Sequence, residues 1–404
     1  MKDHWTATRL GNLGNFRNGV NFSSDVMGKG IPLINVKDIT GEGFIEIENL
    51  DLVDLQPKPA YYAKSGDIFF ARSSVKYEGI GEVNICKNLT DPAIHCGFVI
   101  RYRITEQKIL DPTYLYYFLK TPSTRSYIRG FSSGTAIFNL SQGSLRFAQV
   151  VYPPLPTQRK IAALLSAYDD LIENNLRRIA LLEEQARLVY EEWFVRFRFP
   201  GWEDTPVDDE TGLPVGWRRE KLENVALLNK SSIKKGSLKT IRYIDISCVS
   251  PSQINIPEEI PFSDAPGRAR RKVKDGDILW SCVRPNRRSH AVVMGSDSNW
   301  IASTGFCVVS PKETSTSFLY QTITTSEFVG YLENMAGGAA YPAVKKENFA
   351  EAEVILPNAS IEKLYGDCFD KHLLLSSKLA EQNILLREAR DLLLPRLMSG
   401  IIEV

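Results

Sequence analysis

The sequence predicts an α+β protein: two tandem mixed α/β modules separated by two long antiparallel coiled-coil helices, with a pseudo-two-fold internal repeat. Three observations carry this. Residues 157–199 contain neither glycine nor proline and are rich in Leu, Ala, Glu and Arg, all strong helix formers. A second stretch, 360–399, shows the same apolar periodicity. Blocks of similar residues recur in one order, about 204 to 212 positions apart.

The repeat fixes the organisation. Trp5, Leu10 and Asn12 match Trp217, Leu222 and Asn224, IPLINVKDI (31–39) resembles IRYIDISCV (241–249), and SGDIFFA (65–71) resembles DGDILWS (275–281). Gly97-Phe98-Val99 lies opposite Gly305-Phe306-Cys307, and TYLYYFLKTPSTRSYI (113–128) parallels SFLYQTITTSEFVGYL (317–332). SSGTAI (132–137) and AGGAAY (336–341) follow, then Val151-x-Pro153 and Ile355-x-Pro357. The offset falls from 212 to 204 as loops shorten, while the order holds. Each copy opens with short β-branched runs, carries one helical piece (112–129 and 316–334), and ends in a strand before a long helix. The expected segments are therefore a first module at 1–155, a central helix at 156–199, a second module at 200–357 with an acidic linker at 200–216, and a C-terminal helix at 358–404.

Each long helix carries a seam spaced by fours and threes. The first runs Ile161, Leu165, Tyr168, Ile172, Asn175, Ile179, Leu182, Ala186, Val189, Trp193; the second runs Ile361, Tyr365, Cys368, His372, Leu375, Leu379, Gln382, Leu386, Ala389, Leu393. Antiparallel pairing with centres aligned makes partner numbers sum to about 556. That sets the two polar seam residues, Asn175 and Gln382, side by side as register markers.

Composition excludes several classes. No apolar run reaches the ~18–20 residues of a membrane span, and MKDHWTATRLGN lacks the apolar core of a signal peptide, so a cytoplasmic protein is expected. The six cysteines form no C-x-x-C and the four histidines no metal-ligand spacing. Neither a G-x-x-x-x-G-K-[ST] phosphate loop nor a G-x-G-x-x-G dinucleotide loop occurs, and no catalytic constellation repeats between modules. Net charge is +1, yet residues 230–288 hold 13 basic and 6 acidic residues. Local basic patches on a neutral chain suit limited contact with phosphate.

Particular motifs resemble the specificity (S) subunit of type I restriction–modification enzymes. They are Pro154-Leu-Pro-Thr-Gln-Arg-Lys-Ile-Ala162, Tyr190-Glu-Glu-Trp-Phe194, Gly212-Leu-Pro-x-Gly-Trp217, the paired G-D-I blocks at 66–68 and 276–278, and Leu394-Pro-Arg-Leu-Met-Ser-Gly400. The second helix departs from the pattern, starting Pro357-Asn-Ala-Ser-Ile-Glu-Lys363. The resemblance implies two target-recognition domains, each reading one half of a bipartite, asymmetric double-stranded DNA sequence, with the helices setting the unread gap. It implies a non-catalytic chain that binds no cofactor and no membrane. Two methyltransferase (M) subunits would use S-adenosylmethionine, and restriction (R) subunits ATP and Mg²⁺. For partner-subunit contacts it points to Gln158, Arg159, Lys160, Arg177, Arg178 and Glu191 on the central helix.

Phosphate contacts position such a protein and base-edge contacts specify. Arg pairs with guanine and Asn with adenine, which makes Arg72, Arg284 and Asn286, in loops after the G-D-I strands, the expected readers. Ser73, Ser74, Lys76, Arg287 and Arg288 share those loops, and Arg270, Arg271 and Lys272 form a basic run suited to phosphate. The small-residue loops with Ser133, Gly134 and Thr135, and with Gly337 and Gly338, permit close backbone approach to DNA. The competing reading is a non-catalytic coiled-coil adaptor with duplicated protein-binding modules; a standalone methyltransferase or nuclease lacks its motifs. One heptad inserted into each long helix adds about 10 Å, so the gap between half-sites should widen by roughly three base pairs. Sequencing methylated motifs in cells checks this, and an unchanged gap rules the ruler out.

Overall fold

A computed structural model describes residues 4–41, 43–134, 136–234, 236–337 and 342–404. The chain divides into two compact units, Met1–Asn174 with Asn383–Val404, and Asn175–Gln382.

In the first unit the strand Thr6–Arg9 pairs antiparallel with Gln149–Tyr152, the last strand of the module. Between them lies a four-stranded antiparallel sheet in the order Gly14–Asn18, Val99–Ile104, Ile68–Ala71, Val83–Ile85. A three-stranded sheet, Asp51–Val53, Met27–Ile34 and Ile94–His95, adds one parallel pairing. The second unit repeats this plan. Arg218–Lys221 pairs with Glu353–Leu356. The four-stranded sheet is Ala226–Leu228, Phe306–Pro311, Ile278–Ser281, His290–Val292. The other sheet is Glu259–Pro261, Thr240–Ile244, Trp300–Ser303, Ala269–Lys272.

The repeated G-D-I block has a local cause. Gly66 and Gly276 sit at φ +86° and +85°, the left-handed region that glycine enters without Cβ strain. The next residue closes the turn: Asp67 accepts from the Lys64 amide at 2.7 Å and Asp277 from the Lys274 amide at 2.9 Å. Arg103 also donates to Asp67, and Ser310 to Asp277, so both buried carboxylates are satisfied.

The expected helical piece at 112–129 is two helices, Pro112–Lys120 and Pro122–Arg129, because Thr121 caps the second through Thr124 N. Thr325 does the same for Ser326–Met335 after Thr316–Thr324. One sequence match needs a one-residue correction. Ala71 pairs with Val99 and Ser281 with Phe306, so the structural counterpart of Phe306 is Val99, not Phe98. Burial agrees: Phe306 is fully enclosed while Phe98 is 62% exposed.

The central helix spans Leu155–Tyr190, then widens into a π turn at Glu191–Val195, short of the expected end at Phe199. The chain breaks out at Phe197, φ +58°. There Tyr190, Phe194, Phe199 and Trp217 join Phe318 and Tyr365 in the second unit's core, so aromatic packing overrides helix continuation. The C-terminal helix spans Ala359–Met398, and its end buries Leu394, Leu397 and Met398 with Ile161 and Leu165 in the first unit's core.

The helices run antiparallel. In the first unit Asn383 donates to the Ile172 carbonyl at 3.4 Å and Arg390 pairs with Asp169; in the second Asn175 donates to Gln382 at 3.1 Å and Tyr365 to the Ala186 carbonyl at 2.8 Å. The second seam departs from its expected phase: Cys368, Leu375 and Gln382 are exposed, whereas Phe369 and Asn383 are buried. A straight helix drifts about 20° per heptad from a 3.5-residue repeat.

Gln158 is a correction. Expected to face a partner subunit, it is fully buried. Its amide donates to the Ile109 and Pro153 carbonyls, both at 2.8 Å, and accepts from Asp111 N at 2.9 Å. Glu362 stands at the matching place in the second helix and accepts from Ser315 N and Oγ, each at 2.7 Å. The two helix starts that differ in sequence therefore make one latch, onto the capping residue of a module helix. Gln158→Ala strands two carbonyls and an amide and should cost ~1–3 kcal/mol. A urea midpoint shift against a near-neutral Arg159→Ala control checks it.

Candidate nucleic-acid interface

Beyond the strand Ile68–Ala71, Arg72 donates through its amide to the Phe98 carbonyl and accepts from Leu140 N, both at 2.9 Å. Ser73–Ser74 then pairs antiparallel with Phe138–Asn139, and Asn139 exchanges two backbone bonds with Ser133, at 2.8 and 3.0 Å. Two loops chosen separately from the sequence thus form one small ribbon. Gly134 allows its turn: φ is +106°, and a Cβ there would lie 2.1 Å from the Ile137 carbonyl. Thr135 lies outside the described residues.

Arg72, the expected base reader here, and the two loop serines also bond within the ribbon. Ser73 donates to Asn139 Oδ1 and Ser74 to the Lys76 carbonyl, each at 2.7 Å. Arg72 is half-buried and donates from Nη1 to the Gly97 carbonyl at 3.1 Å. Val75, Lys76, Tyr77 and Glu78 are exposed at the tip, with Ile137 in the bend before Phe138. Tyr77 packs edge-on against Phe138 at 5.2 Å, with the Arg129 guanidinium 5.8 Å from its ring centre. Sequence reasoning missed Val75, Tyr77, Ile137 and Arg129; the signal was an apolar residue beside each turn-forming stretch.

The second module joins its loops at corresponding positions. Val283 bridges Ala343, which bridges Gly337, as Ser73 bridges Asn139 and Asn139 bridges Ser133. Cys282 donates to the Gly305 carbonyl at 2.8 Å and accepts from Val344 N at 2.9 Å. Arg284, at φ +51°, donates through its amide to the Pro342 carbonyl at 2.7 Å. A 3₁₀ turn at Pro285–Arg287 follows, closed by Arg288, also at φ +51°. Two non-glycine residues in the left-handed region, each costing about 1–3 kcal/mol, lift Asn286 and Arg287 into solvent. Arg288 donates to Ser326 Oγ at 3.0 Å. Arg284 and Arg72 are not counterparts: by strand pairing Cys282 corresponds to Arg72, and Arg284 to Ser74. Gly338 lies outside the described residues.

The basic run occupies the edge strand Ala269–Lys272, whose start reaches the loop root, since Thr304 donates to the Arg268 carbonyl and Gly305 accepts from Cys282. Lys272 is exposed, while Arg270 is tied to the Gly267 and Ile233 carbonyls at 3.0 and 3.4 Å. Arg271 is half-buried, its Nε enclosed without a hydrogen-bond acceptor among the described residues. Burial pushes the Cys282 thiol up to about 11 and lowers His290 to about 4, with Arg288 adding to the latter. Both are neutral at physiological pH, so the positive potential comes from arginine and lysine alone.

On the central helix Arg159, Lys160, Arg177 and Arg178 are exposed, and Glu191 pairs with Arg187. Among the described residues no helix is long and apolar enough to cross a membrane, and no group of His, Cys, Asp and Glu is disposed to hold a metal ion.

Comparison with known proteins follows the same division. The type I restriction modification DNA specificity domain matches twice, over residues 2–184 and 214–385. The MjaIX specificity subunit of a type I restriction enzyme from Methanocaldococcus jannaschii is 26% identical over 238 residues, 56% of this chain and 53% of that protein. This match spans about half of that relative's length. The HindI specificity subunit from Haemophilus influenzae is 21% identical over 446 aligned positions, covering 92% and 94%. The crystal structure of a type I restriction–modification S subunit from M. genitalium superposes with a TM-score of 0.61 at 15% identity, covering 98% and 97%. With the family's domain matched over most of its length in two copies, the chain belongs to the type I restriction–modification DNA specificity family.

Proposed function

We propose that this chain reads a bipartite, asymmetric double-stranded DNA sequence, one half per module, as the specificity subunit of a type I restriction–modification system. The observation that carries this is the pair of loop junctions. Loops that follow the G-D-I strands with different sequences are held by the same bridges at the end of the same sheet strand, as duplicated scaffolds with separate specificities require. We take the reading modules as residues 1–155 and 200–357 and the spacers as 156–199 and 358–404.

Arg284 and Asn286 are the proposed base readers in the second module. Lys76, Arg287, Arg288 and the strand carrying Arg270, Arg271 and Lys272 supply phosphate contacts, with Ser133 and Gly337 at the backbone approach. Specificity subunits of this family are non-catalytic. Adenine methylation from S-adenosylmethionine would belong to two M subunits, seated in part on Arg159, Lys160, Arg177, Arg178 and Glu191. ATP-driven translocation and cleavage would belong to R subunits, the whole acting in the cytoplasm.

Binding of randomised duplexes, with and without the methyltransferase partner, tests the reading. A protein-binding adaptor shows no sequence preference under either condition. Arg284→Ala should cost ~1–3 kcal/mol of discrimination at one half-site; equal loss at both points to misfolding or lost M binding instead.

A further inference from the structure

We propose that the first module selects thymine through its C5-methyl group, using Val75 and Ile137 at the tip of its ribbon. This rests on the DNA-reading function proposed above. A two-stranded ribbon fits the major groove of B-DNA, where the thymine methyl is the one apolar group on a base edge.

The polar side chains of the ribbon are partly engaged within it. The Ser73 and Ser74 hydroxyls donate within the ribbon, Asn139 spends its carbonyl oxygen on Ser73 and its amide on the Ile137 carbonyl, and Arg72 holds Gly97. The hydrogen bond between Ser73 and Asn139 puts both side chains on one face. In the register that pairs Ser73 with Asn139 and Ser74 with Phe138, Val75 and Ile137 come next beyond the paired residues, in the bends at the end of the ribbon. They are 77% and 54% exposed, so both apolar side chains are open to a partner surface. Lys76 beside them, and Arg129 behind Tyr77, provide cations for the flanking phosphates; Glu78 is the one exposed acid in the turn.

The second module differs at the described positions, the counterpart of Ile137 lying outside the described residues. Its counterpart of Val75 is Pro285, which is buried, and its tip presents Asn286 and Arg287. One scaffold thus carries an apolar reader in one copy and hydrogen-bonding readers in the other, which by itself makes the recognised sequence asymmetric.

The test uses the full chain with its methyltransferase partner and the duplex selected from the randomised pool. The half-site of the first module is the one whose preference survives Arg284→Ala. Replacing each thymine there by uracil removes only the methyl group and should weaken binding about fourfold at one or more positions. Val75→Ala with Ile137→Ala should abolish that thymine-over-uracil preference and leave the other half-site unchanged. Uracil tolerated throughout, a half-site without thymine, or equal loss at both half-sites for the double variant overturns the proposal. Absence of any sequence preference overturns the DNA-reading function with it.

Discussion

In each module one acceptor, fully buried in the first and half-buried in the second, receives the amide at the cap of the module's own helix. Gln158 receives Asp111 N, and Glu362 receives Ser315 N. Each lies in the first turn of a long helix, directly after the strand that closes its module against the opening strand. The strand fixes where the long helix begins and the latch fixes its direction. An amide left without an acceptor at that depth would cost more than the bond itself contributes, so the junction has one satisfied geometry. Gly366, where a Cβ would lie 2.5 Å from Ser315, adds a steric limit in the second unit.

That rigidity separates scaffold from specificity. The loops that differ most between the copies start from the same strand and are pinned by the same bridges. Sequence can change at the tip without disturbing the core, because the bonds that hold the ribbon are mostly backbone to backbone. The copies use this freedom differently: Ser73, Ser74 and Asn139 brace the first tip with side-chain bonds, whereas Arg284 and Arg288 shape the second by adopting left-handed backbone.

The repeat and both long helices were legible in the sequence because each rests on many residues acting together. A heptad seam survives a few wrong positions, and seven ordered blocks survive loop deletions. Single-residue assignments were less secure, for physical reasons. Whether Gln158 faces solvent or core depends on Ile109 and Pro153, which periodicity does not bring to it. Phe98 and Phe306 look equivalent until strand pairing shows a slip of one residue, and such a slip reverses which face a side chain takes. The sequence offered Arg72 and the loop serines as DNA contacts but not their local bonds to the Gly97 carbonyl, Asn139 and the Lys76 carbonyl, which depend on neighbours brought in by the fold or by the turn.

The seam shows the same tension between pattern and geometry. Asn175 is buried and bonded to an exposed Gln382, while Asn383, one position on, is buried and bonded to the Ile172 carbonyl. The paired numbers sum to 557 and 555, on either side of the 556 that aligned centres give. A buried amide in an apolar seam contributes little net stability, because its hydrogen bonds roughly offset its desolvation. Its effect is on alternatives: sliding one helix by a turn would bury each amide against side chains that cannot answer it, at ~1–3 kcal/mol apiece. Leucines alone would tolerate such a slide. We therefore assign these amides to register rather than strength, the property that the proposed spacer role of the two helices would need held fixed.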